Sequence, residues 1–216
     1  MRLAIFDIDG TLVDSTYHHA LSWQRAFRAC EVAMPMWRIH RQIGKGGDRL
    51  VGDLAGEEVE RDRGDEIRAV QRERFLELID EVQPLDGAHE LLVACKESGW
   101  RVALASSGRS DEVDHYLRLL DVDGLADAVL SSEDVDTTKP APDLLTIAHE
   151  RAGAEVPPGA VLVVGDAVWD CRAARTAGMV PVGVLCGGFG RQELLEAGAD
   201  AVYETLPELR EALPTA

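Results

Sequence analysis

Positive charge is scarce in this chain. Against 39 Asp and Glu stand 22 Lys and Arg, a formal net charge of -17 over 216 residues. An excess of that sign repels phosphate backbones and anionic lipid surfaces, which excludes nucleic acid and membranes as general partners. No apolar run is long enough to span a bilayer. Cysteine is sparse too: Cys30, Cys95, Cys171 and Cys186 lie far apart and form no pair with metal-ligand spacing. They read as reduced, buried thiols of a cytosolic protein. Strand-like and acidic residues begin almost at once, leaving no stretch that reads as a signal peptide, so a cytoplasmic location is expected. Internal repeats and low-complexity tracts are missing, and no strand signal occurs between Asp14 and Val82.

What is present is a hydrophobic content of 46%, enough for the core of one large domain or of one domain carrying an insert. Leu3–Phe6 reads as a strand buried on both faces, as in parallel sheets. It runs directly into Asp7-Ile8-Asp9-Gly10-Thr11-Leu12. Acids at the end of such a strand have no packing role and belong in the crevice at the carboxyl edge of an open sheet, where such folds bind ligands. If the backbone stays extended, Asp7 and Asp9 point to one side.

From Asp14 the period changes. Ala20, Trp23, Ala26 and Phe27 have helical spacing. Arg38 to Ile43 reads as a second helix closed by Gly44, Gly44-Lys45-Gly46-Gly47 as a flexible turn, and Glu57 to Asp80 as one or two amphipathic helices. After Pro84-Leu85-Asp86-Gly87, strands expected at 101–105, 128–130, 160–164, 180–185 and 201–203 alternate with helices. That pattern specifies an α/β fold, a doubly wound parallel sheet with an all-helical insert after the first strand. The expected division is residues 1–14 and 84–216 for the core and 15–83 for the insert.

Polar residues stand where several core segments stop: Asp7 and Asp9, Ser106, the turn at Lys139, and Asp166 after Val161–Gly165. Asp170 follows one helical turn later and can share a face with Asp166. Phosphoryl transfer through an aspartyl-phosphate needs such a set. A carboxylate nucleophile must approach a phosphate dianion, so Mg²⁺ on oxygen ligands and a lysine point charge must cancel the repulsion. A small hydroxyl binds a phosphate oxygen, and a second acid protonates the leaving alkoxide and later activates water.

Four segments in order carry a resemblance over nearly the whole chain: Asp7-Ile8-Asp9-Gly10-Thr11-Leu12-Val13-Asp14-Ser15, Ala103-Leu104-Ala105-Ser106-Ser107, Lys139-Pro140-Ala141-Pro142, and Gly165-Asp166-Ala167-Val168-Trp169-Asp170. The sequence resembles the haloacid dehalogenase-like hydrolases. The resemblance implies Asp7 as nucleophile, Asp9 as general acid and base, Ser106 and Lys139 as phosphate ligands, and Mg²⁺ held by Asp7, Asp166 and the backbone carbonyl of Asp9. Asp170 supports the metal site or Lys139, and the insert is a small cap that closes over the substrate. True dehalogenases and phosphonate hydrolases lack an acid at the place of Asp9, so a phosphate ester is expected. The expected reaction is Mg²⁺-dependent hydrolysis of a small phosphorylated metabolite of the phosphoglycolate or sugar-phosphate type. The alternative is a sugar phosphomutase similar to β-phosphoglucomutases, which carry a comparable histidine and tryptophan; the loop arginine of those enzymes has no counterpart here.

His19 and Trp23 share a face of the first helix. His19 either touches Asp9 or substrate or packs on a neighbour, while packing is expected of Trp23. Between Pro35 and Val51, Arg38, Arg41, Lys45 and Arg49 face one acid, Asp48. Lys45 is the candidate for attracting an anionic substrate. Solvent is expected for Arg109, a loop-shaping role for Ser107 and Gly108, packing for Trp169 and a simple turn for Gly187–Gly190. Monomer and homodimer both remain open.

Overall fold

A computed structural model describes residues 2–213. Six parallel strands form one sheet in the order β3-β2-β1-β4-β5-β6: β1 (Arg2–Phe6), β2 (Trp100–Ala105), β3 (Ala128–Leu130), β4 (Val161–Gly165), β5 (Val180–Val184) and β6 (Ala201–Tyr203). Each crossover after the insert passes through a helix: α5 (Ala88–Glu97) before β2, α6 (Ser110–Leu119) before β3, α7 (Asp143–Gly153) before β4, α8 (Val168–Thr176) before β5 and α9 (Arg191–Glu196) before β6; α10 (Leu206–Ala212) follows.

Alternating side chains of the buried strands serve opposite faces. Ala4, Phe6, Val102, Leu104, Val164 and Val182 join Leu91, Tyr116 and Leu209 on one side. Leu3, Ile5, Ala103, Val161 and Val163 join Leu144, Ala148 and Ala174 on the other. Both faces are therefore covered, which is why these strands read as continuous apolar runs.

The register fixes the site. Phe6 pairs with Leu104 on one side and Val164 on the other, so Asp7, the end of β2 and the end of β4 lie side by side. The chain steps from β1 outward to β2 and β3, then returns to the other flank of β1 with β4. This reversal opens the crevice at the carboxyl edge where ligands bind in such sheets.

The segment between β1 and α5 is helical: α1 (Thr16–Ala29), α2 (Met36–His40), α3 (Gly47–Ala55), α4 (Glu57–Leu76) and one short turn of 3₁₀ helix at Ile79–Glu81. These helices have a core of their own, including Ala20, Trp23, Phe27, Ile39, Leu50 and Ile67. Phe75, Ile79 and Val82 belong to the sheet's core and anchor the end of the segment to it. Sequence spacing missed α3: three glycines obscured its start, yet Gly47 opens a helix whose Leu50, Val51 and Leu54 are buried. The second helix begins at Met36 and ends at His40, short of the expected Ile43.

Cys30, Cys95 and Cys171 are buried and Cys186 is half-buried, all free. Burial pushes Cys95, Cys171 and Cys186 up to about 12, which keeps them as inert thiols.

Ile5 lies in the central strand with no exposed surface. Ile5→Ala is expected to lower the unfolding free energy by about 2–5 kcal/mol, read as a shift in the urea midpoint at constant slope.

Candidate active site

Asp7 continues β1 by one residue: its N–H donates to the Val164 carbonyl at 2.9 Å. The chain then folds back on itself, with the N–H groups of Leu12 and Val13 both reaching the Ile8 carbonyl. Gly10 makes this turn at φ 79°, and a Cβ there would run into Thr16 and the Asp166 carboxylate. The turn presents Asp7 and Asp9 to one cavity of about 600 Å³.

Lys139, Asp166 and Asp170 gather around Asp7. The Lys139 ammonium, 1% exposed, pairs with Asp7 and lies 2.8 Å from Asp170 Oδ1 and 3.2 Å from the Ala105 carbonyl. Thr11 Oγ1 lies 2.9 Å from Asp166 Oδ1 and 3.2 Å from Asp7 Oδ2, linking the two carboxylates. Asp170 is fixed from behind, its Oδ2 accepting from the Ala167 N–H at 3.1 Å.

Three buried carboxylates thus face one ammonium. Burial raises Asp7 to about 7, aided by Asp170 and Asp9, although Lys139 opposes the shift. Asp166 is pushed well above the usual carboxylate range by burial and by Asp170 and Asp7. Lys139 moves upward because its two aspartates outweigh its burial.

Asp9 lies in a different environment. Ser106 Oγ donates to Asp9 Oδ2 at 2.7 Å, Ser15 Oγ to Oδ1 at 2.8 Å, and His19 Nε2 lies 2.9 Å from Oδ1. Burial alone would raise Asp9, but these partners together hold it at about 2. His19 is raised in return, Asp9 overcoming the effect of burial. Its ring stacks on Phe75, centroids 3.8 Å apart. Of the two roles open for His19, contact with Asp9 is what the geometry has.

The remaining candidates divide. Lys45 lines the cavity, but its ammonium lies 2.5 Å from Asp53, 2.6 Å from Gln42 and 3.8 Å above the Trp169 ring. Arg41 pairs with Glu193 and covers Phe189 at 4.1 Å. Trp23 is buried in the insert's core and also borders the cavity. Trp169 is 9% exposed and packed, as its sequence context predicts. Arg109 is half-exposed and pairs with Glu133 at 3.2 Å.

Other features escaped sequence reading. Gly187 is more than a turn residue: a Cβ there would fall on the Asp166 carboxylate, so the loop after β5 passes directly over that side chain. Ser107 lines the cavity with a buried hydroxyl that has no hydrogen-bond partner among the described residues, while the Ser106 hydroxyl is turned to Asp9. Asp48 and Gly46 of the insert grip Thr138, the neighbour of Lys139, through bonds of 2.5 Å and 3.0 Å. Glu112 on α6 is buried at the cavity wall. None of these belongs to a motif with a transferable spacing.

Carboxylate oxygens of Asp7, Asp166 and Asp170 lie within 4.8 Å of one another. An all-oxygen donor set with excess buried negative charge suits a hard divalent cation. Two of its members with raised pKa values show the strain that such a charge would relieve.

A family model described as haloacid dehalogenase-like hydrolase matches residues 1–178. The chain is 30% identical to the phosphoglycolate phosphatase of Mannheimia succiniciproducens, over 96% of this chain and 96% of that protein. Among solved structures it is similar to a hydrolase from Pseudomonas syringae at 33% identity and TM-score 0.89, covering 97% of this chain and 96% of that one. It is also similar to a mutant of CbbY from Rhodobacter sphaeroides in complex with xylulose-(1,5)bisphosphate at 25% identity and TM-score 0.75, with coverage of 97% and 96%. The chain belongs to the haloacid dehalogenase-like hydrolases. Within that family it is a phosphatase, an enzyme that hydrolyses phosphoric monoesters. No helix among the described residues is long and apolar enough to cross a membrane.

The carboxylate cluster sets a pH dependence. With Asp7 at about 7 in the fold and about 4 when unfolded, the native state binds more protons between those values. Stability of the metal-free protein therefore falls as pH rises through that window. In excess chelator the melting temperature is expected to drop between about pH 5 and pH 8. Added Mg²⁺ is expected to raise it more at the upper pH than at the lower. A Mg²⁺ effect that is equal at both ends contradicts this account of the cluster.

Proposed function

We propose that the protein is a Mg²⁺-dependent phosphatase that hydrolyses a small organic phosphate monoester, of the phosphoglycolate or sugar-phosphate type, through a phosphoryl-Asp7 intermediate. The observation that carries this reading is the asymmetry of the two acids. Asp7 is tied to Lys139 and the carboxylate cluster, and Asp9 to hydroxyls and His19, although only one residue separates them. Two neighbouring acids in such different surroundings suit different roles.

Asp7 attacks phosphorus while the Lys139 ammonium lowers the repulsion between carboxylate and phosphate. Asp7, Asp166 and the backbone carbonyl of Asp9 would hold Mg²⁺, with Asp170 fixing Lys139. When bound, that ion offsets the negative charge of the nucleophile and the phosphate. Lys139 and the hydroxyls of Ser106 and Ser107 receive phosphate oxygens, Ser106 turning its hydroxyl away from Asp9 to do so.

The departing alkoxide needs a proton. Asp9 at about 2 does not carry it before substrate binds, and its hydrogen-bonded neighbour His19, raised by the Asp9 carboxylate, is the group placed to supply it. The hydrogen-bonded pair is therefore the acid, and Asp9 delivers the proton that His19 stores. In the second half Asp9 accepts a proton from water as that water attacks phosphorus, which frees Asp7 and inorganic phosphate.

Residues 15–83 act as the cap, and residues 1–14 and 84–216 as the catalytic core. The cavity supports this division, since its wall draws on both: His19, Lys45 and Arg68 from one, Asp7, Gly108 and Thr138 from the other.

Asp7→Asn is expected to lower phosphate release by roughly 10³-fold or more while the melting temperature stays within a few degrees of wild type. The assay is phosphate release from a panel of phosphorylated metabolites, with Mg²⁺ and in chelator. Near-normal turnover by the variant, or full activity in chelator, rules the mechanism out.

A further inference from the structure

The cations on the cavity wall are already engaged. Lys45 is held by Asp53, Arg68 by Glu60 at 2.7 Å and Asp65 at 2.8 Å, Arg72 by Asp111 at 2.5 Å, and Arg109 by Glu133 at 3.2 Å. The acid Glu112 is placed differently. It is 4% exposed, lines the same cavity beside Asp9 and His19, and has no ion pair among the described residues. Its Oε2 takes one long contact of 3.4 Å from the Arg109 N–H, and its Oε1 has no hydrogen bond among the described residues. The carboxyl points toward the loop expected to receive phosphate. A Cβ built on Gly108 would lie 3.0 Å from Glu112 Oε2 and 3.5 Å from Asp9 Oδ2.

We propose that Glu112 is a specificity residue that favours a phosphate ester whose organic part carries hydroxyls and disfavours one whose organic part carries a carboxylate. This rests on the phosphatase reading above and narrows its substrate class. A substrate hydroxyl can donate to Glu112 and complete the hydrogen bonding of a buried acceptor. A substrate carboxylate would meet Glu112 and Asp9 as like charges, and the nearest cations would have to leave their own carboxylates to receive it. Selection by an unfavourable charge contact against the wrong ligand is a general route to specificity. Capping the first turn of α6 is the structural role open to a glutamate here. Glutamine serves that role equally well, which separates the two roles experimentally.

The experiment compares glycerol phosphate with phosphoglycerate, which differ by a CH₂OH group in place of a carboxylate, and adds phosphoglycolate and p-nitrophenyl phosphate. For the wild-type enzyme, kcat/KM for glycerol phosphate is expected to exceed that for each carboxylate ester by about tenfold or more. Glu112→Gln is expected to reduce that ratio about fivefold or more, mainly through a lower KM for the carboxylate esters. The proposal fails if the wild-type ratio is near one or inverted, and the wild-type ratio is informative even if the variant does not fold. It also fails if folded Glu112→Gln leaves the ratio unchanged. Hydrolysis of p-nitrophenyl phosphate that depends on Asp7 shows, in the same assay, that the phosphatase reading survives such a failure. If none of the four esters releases phosphate, the phosphatase reading falls and the specificity proposal falls with it.

Discussion

Three carboxylates and one ammonium share a space from which water is nearly excluded, and the rest of the active site is built to hold that arrangement. Asp7, Asp166, Asp170 and Lys139 are each at most 5% exposed. Removing the Lys139 ammonium would leave three buried carboxylates without their cation, a cost of about 3–5 kcal/mol. The supports are accordingly dense. Strand register sets Asp7 beside the ends of β2 and β4. Thr11 bridges two of the acids, the Ala167 N–H binds the third, and two glycines, Gly10 and Gly187, allow backbone to pass where a Cβ would strike Asp166. The net negative charge is a thermodynamic cost of a site that functions with a cation and a phosphate group bound.

The helical segment reaches that centre without joining it. His19 touches Asp9, and Asp48 and Gly46 hold Thr138, the residue next to Lys139. Arg41, Lys45 and Arg72 tie the segment to Glu193, Trp169 and Asp111 of the sheet domain. Those made by His19, Lys45, Gly46, Asp48 and Arg72 ring the cavity, so the position of the helices and the geometry of the acids are linked through short polar contacts. Most of the ring is charged, and its cations are neutralised by carboxylates of the same chain. The cavity's own cations are therefore already balanced within the chain.

The fold was legible because buried parallel strands and amphipathic helices leave different periods. All six strands were expected near their observed positions, and Asp7, Asp9, Lys139 and Asp166 were visible as polar residues that break apolar or turn patterns. Where several interactions compete, the signal disappeared. The run Gly44-Lys45-Gly46-Gly47 reads as flexible on local propensity, yet burial of Leu50 and Val51 makes a helix start at Gly47. Lys45 carries an attractive charge in the sequence, but its partner Asp53 is eight residues away on the next helix and its ring partner, Trp169, is more than a hundred. Glu112 looks like one of many helix-surface acids, yet it is buried in the wall of the cavity that Asp9 and His19 also line. Contacts between residues far apart in sequence have no local period, and those contacts decide which cations are available to a substrate.

The central claim is that Asp7 carries the phosphoryl group. It is tested most directly by trapping the enzyme in acid during steady turnover and treating it with borohydride, which reduces an aspartyl-phosphate to homoserine. The digested chain is then sequenced by mass spectrometry. The account predicts homoserine at position 7 and unaltered aspartate at Asp9, Asp166 and Asp170. Homoserine at any of those three, or its absence at position 7 under conditions where the intermediate accumulates, contradicts it.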